Sequence, residues 1–476
     1  MTAQRRRRRR HSKRWYRGMR NRILFGLSIV LLVVLIVFGG MTIAKSLTQS
    51  TAAKPQQTES QETEQVKKPK FLKNYSAVEM TKYYTYGTHL SLEGNLSVEG
   101  TVKNVFLLMV PSESTGPSDY TQRQILNYDS TTGVFQTAKE LNEGLCLEGF
   151  EDNNYYLMLS VVYGDGSVDY YRVKDASGEE PLVYYTLTDT ATGTNQKIEM
   201  GQEEDTAMLS ITTTELPADV YDIVIDPGHG GNDAGTVSGE YCERDLVLNV
   251  SLKTKELLEA AGYKVLLTRD GSEGPDLKMA YTMYDEDGRV NVSCRSKAKY
   301  EVSIHINSNE VLTAGGVQVY GSCRANSGFA KLLADQIVSE AGTSYSPMET
   351  GCREPGAYVH SYNENDIQEA IASAQNKGYE PYNITTDTDY LFMIREVGGI
   401  ATGAYVDGRN TIYGSNLFLN SNQGVECALV ELGFISVEED RNNMVHNSDG
   451  YAKGIANAIV QQILSDKQED SVTTAP

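Results

Sequence analysis

The chain has 476 residues, 63 of them acidic and 43 basic, for a formal charge of −20. That length allows two domains with full cores. Eleven of the bases fall within the first 22 residues with no acid among them, so the remainder is more acidic still, which argues against DNA, RNA or an anionic lipid surface as its ligand.

Residues 1–22 form the basic tail, with Arg5 to Arg10, Lys13, Arg14, Arg17, Arg20 and Arg22. Residues 23–44, Ile23 to Ala44, contain no charged side chain and are rich in Ile, Leu and Val. A helix of that length crosses a bilayer. The basic side stays in the cytoplasm, so a single-pass anchor in the cytoplasmic membrane is expected, with everything after Ala44 outside. A cleaved signal peptide is the alternative, but no clear small-x-small cleavage site is present. Residues 45–70 are polar and read as a flexible linker.

Between 71 and 215 the pattern changes to short alternating runs. Examples are His89–Gly94, Asn104–Val110, Asn154–Tyr163 and Val168–Val173, punctuated by turns such as Gly164-Asp-Gly166. A small antiparallel sandwich is expected there. Its many tyrosines fit a half-buried sheet better than a sugar-stacking surface. All six cysteines (146, 242, 294, 323, 352 and 427) follow the apolar span, with no CxxC motif. In an exported chain they permit disulfides.

From 219 to 467 strands alternate with helices. Strands are expected at Asp222–Asp226, Tyr263–Thr268, Val302–Ile306, Gly316–Tyr320 and Glu426–Glu431. Helices are expected at Glu243–Ala261, capped by Gly262, and at Asn291–Tyr300. Two more are expected at Ser327–Ala341, closed by Gly342, and at Tyr451–Leu464. Residues 468–476 read as a disordered tail. The alternation implies an α/β layer fold with a largely parallel sheet flanked by helices. Ligands in such folds bind beyond the carboxyl ends of the strands.

Three side chains meet that description. His229 stands in the glycine-rich bend Asp226-Pro-Gly-His-Gly-Gly231, directly after an apolar strand. His305 ends the run Val302-Ser-Ile-His305, and Glu431 ends Leu429-Val-Glu431. Glu243 opens a helix between the two histidines. Taken singly, each has an ordinary reading: a loop histidine, a glutamate placed for the helix dipole, a buried glutamate paired with a cation such as Arg395. Together they suit a catalytic zinc, which takes three protein ligands and leaves a position open. His229, Glu243 and His305 are the candidate ligands, and Glu431 is the candidate proton-transfer group. The remaining histidines, including His89, His360 and His446, are expected at the surface.

The ordered motifs Asp226-Pro-Gly-His-Gly-Gly231, Glu243-Arg-Asp245, Ser303-Ile-His-Ile-Asn307 and Val430-Glu-Leu-Gly-Phe434 resemble those of the zinc-dependent N-acetylmuramoyl-L-alanine amidases of bacterial cell walls. The resemblance covers roughly Tyr221 to Leu464. It implies Zn2+ held by His229, Glu243 and His305, with Glu431 as catalytic acid/base, and a six-stranded sheet flanked by helices. The reaction it implies is hydrolysis of the amide between N-acetylmuramic acid and L-alanine in peptidoglycan. Another zinc hydrolase of the wall, a peptidase or deacetylase, is the alternative on the same scaffold. A catalytically silent wall-binding protein is the alternative from another class. The stretch 343–424 is longer than the family core needs. Asn365–Asn376 within it reads as a short helix, either a surface insertion or a lid whose carboxylate, Glu364 or Glu369, closes the metal site until an activator protein withdraws it.

Overall fold

The computed structural model describes residues 71–274, 288–309, 315–376, 378, 384–398 and 423–473. The basic tail, the apolar span 23–44 and the linker lie outside these residues. Among the described residues no helix is long and apolar enough to cross a membrane.

The first eight strands are β1 (Ala77–Tyr86), β2 (His89–Asn95), β3 (Val102–Pro111), β4 (Gln122–Asp129), β5 (Val134–Gln136), β6 (Leu145–Cys146), β7 (Asn153–Tyr163) and β8 (Val168–Asp175). Seven of them pair in the order β1-β2-β5-β4-β3-β7-β8 and return to β1, which closes a barrel. Inward-facing Met80, Leu92, Val105, Leu107, Phe135, Leu157, Leu159 and Val173 fill it. The sheet continues past the barrel because β7 is long. Its first residues pair with β11 (Thr206–Thr214), and β11 with β10 (Asn195–Glu203) and then β9 (Val183–Tyr185). The expected sandwich is therefore corrected to a closed barrel. Alternation reports one buried face, which both architectures have. Closure depends on a parallel pairing of Ala77–Met80 with Arg172–Asp175, which leaves no local trace in the sequence.

The second sheet contains β12 (Ile223–Pro227), β15 (Val265–Leu267), β16 (Tyr300–Asn307), β17 (Gln318–Gly321), β18 (Cys352–Glu354), β19 (Ala357–Val359) and β21 (Glu426–Phe434). Its order is β15-β12-β16-β21-β17-β19-β18. A small hairpin, β13 (Val237–Ser238) with β14 (Tyr241–Cys242), stands apart, and β20 (Gln423–Gly424) joins the barrel sheet beside β1. The expected mostly parallel six-stranded sheet is not what forms. The sheet has seven strands and is mixed: β17 runs antiparallel to β21, and β18 antiparallel to β19. β17 follows β16 closely in sequence, so it turns back, and β21 later enters between the two. β18 and β19 have three residues each, too few for a period-2 signal.

The helices are α1 (Glu243–Ala260), α2 (Arg289–Arg295), α3 (Gly328–Ala341), α4 (Glu364–Asn376), α5 (Phe392–Val397), α6 (Glu438–His446) and α7 (Ser448–Thr473). The pleat decides what each meets. Ile223, Ile225, Val302, Ile304 and Val430 point to the side where α1, α3 and α7 pack, through Val247, Val250, Leu333, Ile337 and Ile455. The alternate positions Glu301, Ser303 and His305, and Cys427, Leu429 and Glu431, point to the other side. There α2 and α5 pack through Val290, Met393, Ile394 and Val397. The helix expected over Asn291–Tyr300 stops at Arg295, because Lys297 takes a left-handed conformation at φ 52° and Tyr300 already belongs to β16.

Residues 68–476 form one compact unit, so barrel and mixed sheet are described together. Their junction is polar and buried. Thr88 donates to Asp466 Oδ2 at 2.7 Å, and the Tyr300 hydroxyl donates to the same oxygen. His89, expected at the surface, is 3% exposed in this layer, whereas His360 and His446 are exposed. Glu426, the first residue of β21, accepts from Asn142 Nδ2 at 3.0 Å through Oε1, while Oε2 is buried without a partner among the described residues. All six cysteines are free thiols.

Burial, then the nearby charge of Asp466, pushes the Glu426 carboxyl up to about 8. The folded state therefore binds a proton that the unfolded chain releases near its ordinary carboxylate value of about 4.3. Stability is fullest below that value and falls as pH rises toward the folded pKa. Glu426→Gln keeps the shape and removes the ionisation. Its thermal midpoint should match wild type near pH 5 and exceed it at pH 8, by a stability difference on the order of 3 kcal/mol. Calorimetry at the two pH values checks this, and equal midpoints at pH 8 would refute it.

Candidate metal centre

The apolar run of β12 ends at Pro227, and the chain then turns through glycines that present His229. α1 begins at Glu243, whose carboxylate lies at the helix N-terminus where the dipole favours it. His305 and Glu431 lie side by side in parallel register on β16 and β21. One strand end, one helix start and a second strand end thus meet above the sheet.

Glu243 Oε1 lies 3.0 Å from His229 Nε2 and 3.0 Å from His305 Nδ1. The two imidazoles stand edge to face, 5.0 Å between centroids. One ligand atom from each of the three residues lies within 4.8 Å of the others. The carboxylate side chain is 2% exposed and the imidazoles 23% and 20%. The Ile306 amide donates to Glu243 Oε1 at 2.9 Å, and the Thr236 amide to Oε2 at 2.9 Å. Asp233, which the sequence reading did not single out, lies 2.8 Å from His229 Nδ1 through Oδ2. Its place four residues after the histidine in the same turn was the available signal. A carboxylate on the outer ring nitrogen fixes tautomer and orientation, as partners of metal-bound histidines do.

Burial alone would raise the Glu243 carboxyl, but hydrogen bonds and charge from His229 and His305 hold it far below the carboxylate range. Burial lowers His229, and the carboxylates of Glu243 and Asp233 outweigh it, leaving its pKa raised. This donor set, one carboxylate between two imidazoles, fits a divalent zinc: the hard and borderline donors are right, and the cation would take the place of the shared protons. The glycines confirm that the cradle is tight. A Cβ on Gly228 would lie 2.4 Å from His305 Cε1, and one on Gly235 would lie 2.5 Å from Glu243 Oε2.

Glu431 is half-buried, and its Oε2 has no hydrogen-bond partner among the described residues. Burial, then the charge of Glu243, raises its pKa to about 8. Arg395, the cation considered for it, instead donates to Glu396 Oε1 at 2.8 Å and to the Tyr390 carbonyl at 2.6 Å. On the far side of Glu431 its register partner is Gln318. The helix expected in the long insertion is present as α4. Its apolar face, with Ile367, Ala370 and Ile371, packs on Ile384 and Tyr362. Glu364 and Glu369 are exposed and stand outside the ligand cluster, so the carboxylate-lid account gains no support.

The tightness of the cradle yields a prediction. Gly228→Ala should displace the His305 ring and weaken metal binding by about 10- to 100-fold, the scale for disturbed ligand orientation. The folded core should persist. Elemental analysis after dialysis at low zinc checks it; stoichiometric metal in the variant would remove the argument from close packing.

Known proteins resemble part of this chain. A germination-specific N-acetylmuramoyl-L-alanine amidase of Bacillus subtilis is 31% identical over 129 residues, 26% of this chain and 54% of that protein. The N-acetylmuramoyl-L-alanine amidase LytC of the same organism is 27% identical over 142 residues, 30% of this chain and 27% of that protein. The chain thus spans about half the length of the first relative and about a quarter of the second. The solved catalytic domain of CwlV, an N-acetylmuramoyl-L-alanine amidase from Bacillus (Paenibacillus) polymyxa var. colistinus, is 20% identical, aligned over 51% of this chain and 98% of that domain, with a TM-score of 0.34. The family model described as N-acetylmuramoyl-L-alanine amidase matches residues 223–463, half of the chain and every residue of the centre just described, and the chain belongs to that family.

Proposed function

We propose that this chain is a zinc-dependent N-acetylmuramoyl-L-alanine amidase that hydrolyses the amide between N-acetylmuramic acid and L-alanine in peptidoglycan. One observation carries the reading: an unpaired, half-buried carboxylate, Glu431, stands in register beside a His-Glu-His cluster at neighbouring strand ends. His229, Glu243 and His305 would hold the ion. When bound, zinc supplies Lewis acidity that makes water acidic near neutral pH and polarises an amide carbonyl.

The remaining work falls to the chain. Asp233 keeps His229 in one tautomer. Thr236 and Ile306 hold Glu243 so that it faces both imidazoles. Glu431 accepts a proton from water as its oxygen attacks the lactyl carbonyl carbon. As the carbon–nitrogen bond breaks, the same proton passes to the alanine nitrogen, which leaves as an amine.

The test is mass spectrometry of muropeptides from purified wall. An amidase frees stem peptides with an N-terminal alanine, and a chelator abolishes the release. Cleavage inside the stem, loss of acetyl groups, or no product would instead support a peptidase, a deacetylase or a silent binder. Glu431→Gln should retain zinc while turnover falls about 10²- to 10⁴-fold, the range for a proton-transfer group. Near wild-type turnover would remove Glu431 from the mechanism.

The location we propose rests on the sequence. The basic run before the apolar stretch 23–44 supports a membrane anchor with the enzyme on the wall side. Protease added to intact protoplasts should degrade the body of the chain and leave a small membrane-embedded stub. A protected body would overturn the orientation.

A further inference from the structure

His229 is one of four non-glycine residues with positive φ among the described residues, at 60°. The left-handed region is uncommon for a residue with a Cβ and persists only where the surroundings enforce it. What enforces it here lies beneath the turn. Arg269, just past β15, donates from Nε to the Pro227 carbonyl at 2.9 Å. Its Nη2 donates to the Gly228 carbonyl at 2.8 Å and to the Arg244 carbonyl, one residue past Glu243, at 2.8 Å. Arg289, the first residue of α2, donates to the His229 carbonyl at 2.7 Å and to the Pro227 carbonyl at 3.2 Å. Each carbonyl from Pro227 to His229 thus accepts from a guanidinium. Both arginines are buried, at 5% and 3% exposure, and each has an anion: Glu273 at 3.1 Å for Arg269 and Asp226 at 2.8 Å for Arg289. Asp226 is held in turn by Thr268 at 2.5 Å and Ser303 at 2.6 Å.

We propose that Arg269 and Arg289 are positioning residues that hold the His229 turn in its left-handed shape and join it to the start of α1, so that His229 and Glu243 are set at zinc-binding separation before the ion arrives. The inference rests on the metal reading above. A guanidinium suits the task because its rigid fork spans two or three fixed acceptors, and an ammonium offers one compact charge. Arg289→Lys keeps the charge beside Asp226 but cannot reach both that carboxylate and the His229 carbonyl with the same geometry. Arg269→Lys loses the link between Gly228 and Arg244.

The experiment measures zinc affinity by competition with a chelator, with amide hydrogen exchange of residues 228–236 in the metal-free protein alongside. Arg289→Lys and Arg269→Lys should each bind zinc about 10- to 100-fold more weakly, the scale for groups that orient ligands. Exchange across the turn should quicken in both. The control is Arg395→Lys, which alters an equally buried, ion-paired arginine in α5 that donates to Glu396 and to the Asp389 and Tyr390 carbonyls. It should leave zinc affinity within about twofold even where it lowers the thermal midpoint. Wild-type affinity in both turn variants, or an equal loss in Arg395→Lys, would overturn the proposal. If Arg289→Lys does not fold, Arg269→Lys decides. If wild type itself takes up no zinc, the functional reading fails instead. The arginines are then judged on exchange in the metal-free protein, and unchanged rates in the variants would refute them.

Discussion

A carboxylate withdrawn from water between two imidazoles is the interaction on which the rest of this structure depends. Glu243 would not remain ionised at 2% exposure without partners. It has five: two imidazoles, the Thr236 amide, the Thr236 hydroxyl and the Ile306 amide. They come from three pieces of chain, and each piece must be in place for the carboxylate to be tolerated. β16 contributes the Ile306 amide and His305 together. The glycine turn contributes His229, and the hairpin approach contributes Thr236. Folding of the α/β part is thus tied to convergence of the centre, and a metal ion would strengthen that tie by replacing shared protons with charge.

The same geometry separates two carboxylates into different roles. Glu243 is held far below the ordinary range because its neighbours are cationic or hydrogen-bond donors. Glu431 stands nearby with an oxygen that has no donor, and it is raised to about 8 by burial and by the charge of Glu243 itself. Environments that push two carboxyl groups apart in this way are how one site obtains both a permanent anion and a proton carrier. The pleat supplies the separation. β16 and β21 run parallel with His305 opposite Glu431, so Glu431 stands beside the His-Glu-His cluster without joining it.

The centre was legible in the sequence because its residues sit at ends of strongly apolar strands, and a histidine or glutamate there breaks a pattern that otherwise continues. Period-2 alternation also places His305 and Glu431 on one face, as found. Asp233 had its place in the His229 turn as a signal, whereas the two arginines were not legible. Arg269 and Arg289 lie far along the chain from His229, in stretches whose composition is ordinary, and only the closed fold brings them under the turn. The barrel was missed for a related reason. Its strands were visible, but a sandwich and a barrel share the same alternation, and the deciding contact joins β1 to β8. The sheet's extra strands, β18 and β19, are too short to leave a period. His89 was placed at the surface because polar residues usually lie there. It is buried at the start of β2, beside the Thr88 hydroxyl in the junction layer between barrel and mixed sheet.

That junction layer bears on how the two parts act together. β20 pairs with the end of β1, and one residue later the chain enters β21, which carries Glu431 at its far end. Gly87 donates from its amide to the Gly424 carbonyl at 2.9 Å, fastening the barrel to the start of that strand. Asp466, from the last helix, accepts from Thr88 of the barrel and from Tyr300 at the start of β16. The two strands that present His305 and Glu431 are therefore both anchored at their amino ends to the barrel, and those two side chains stand in their carboxyl halves. A strand is stiff along its length because every backbone group is paired with neighbours on both sides. A displacement of the barrel would thus be felt at the register of β16 against β21, and that register sets the spacing of His305 and Glu431. The barrel is built into the frame that holds the centre, which is a different relation from that of a binding module carried on a tether.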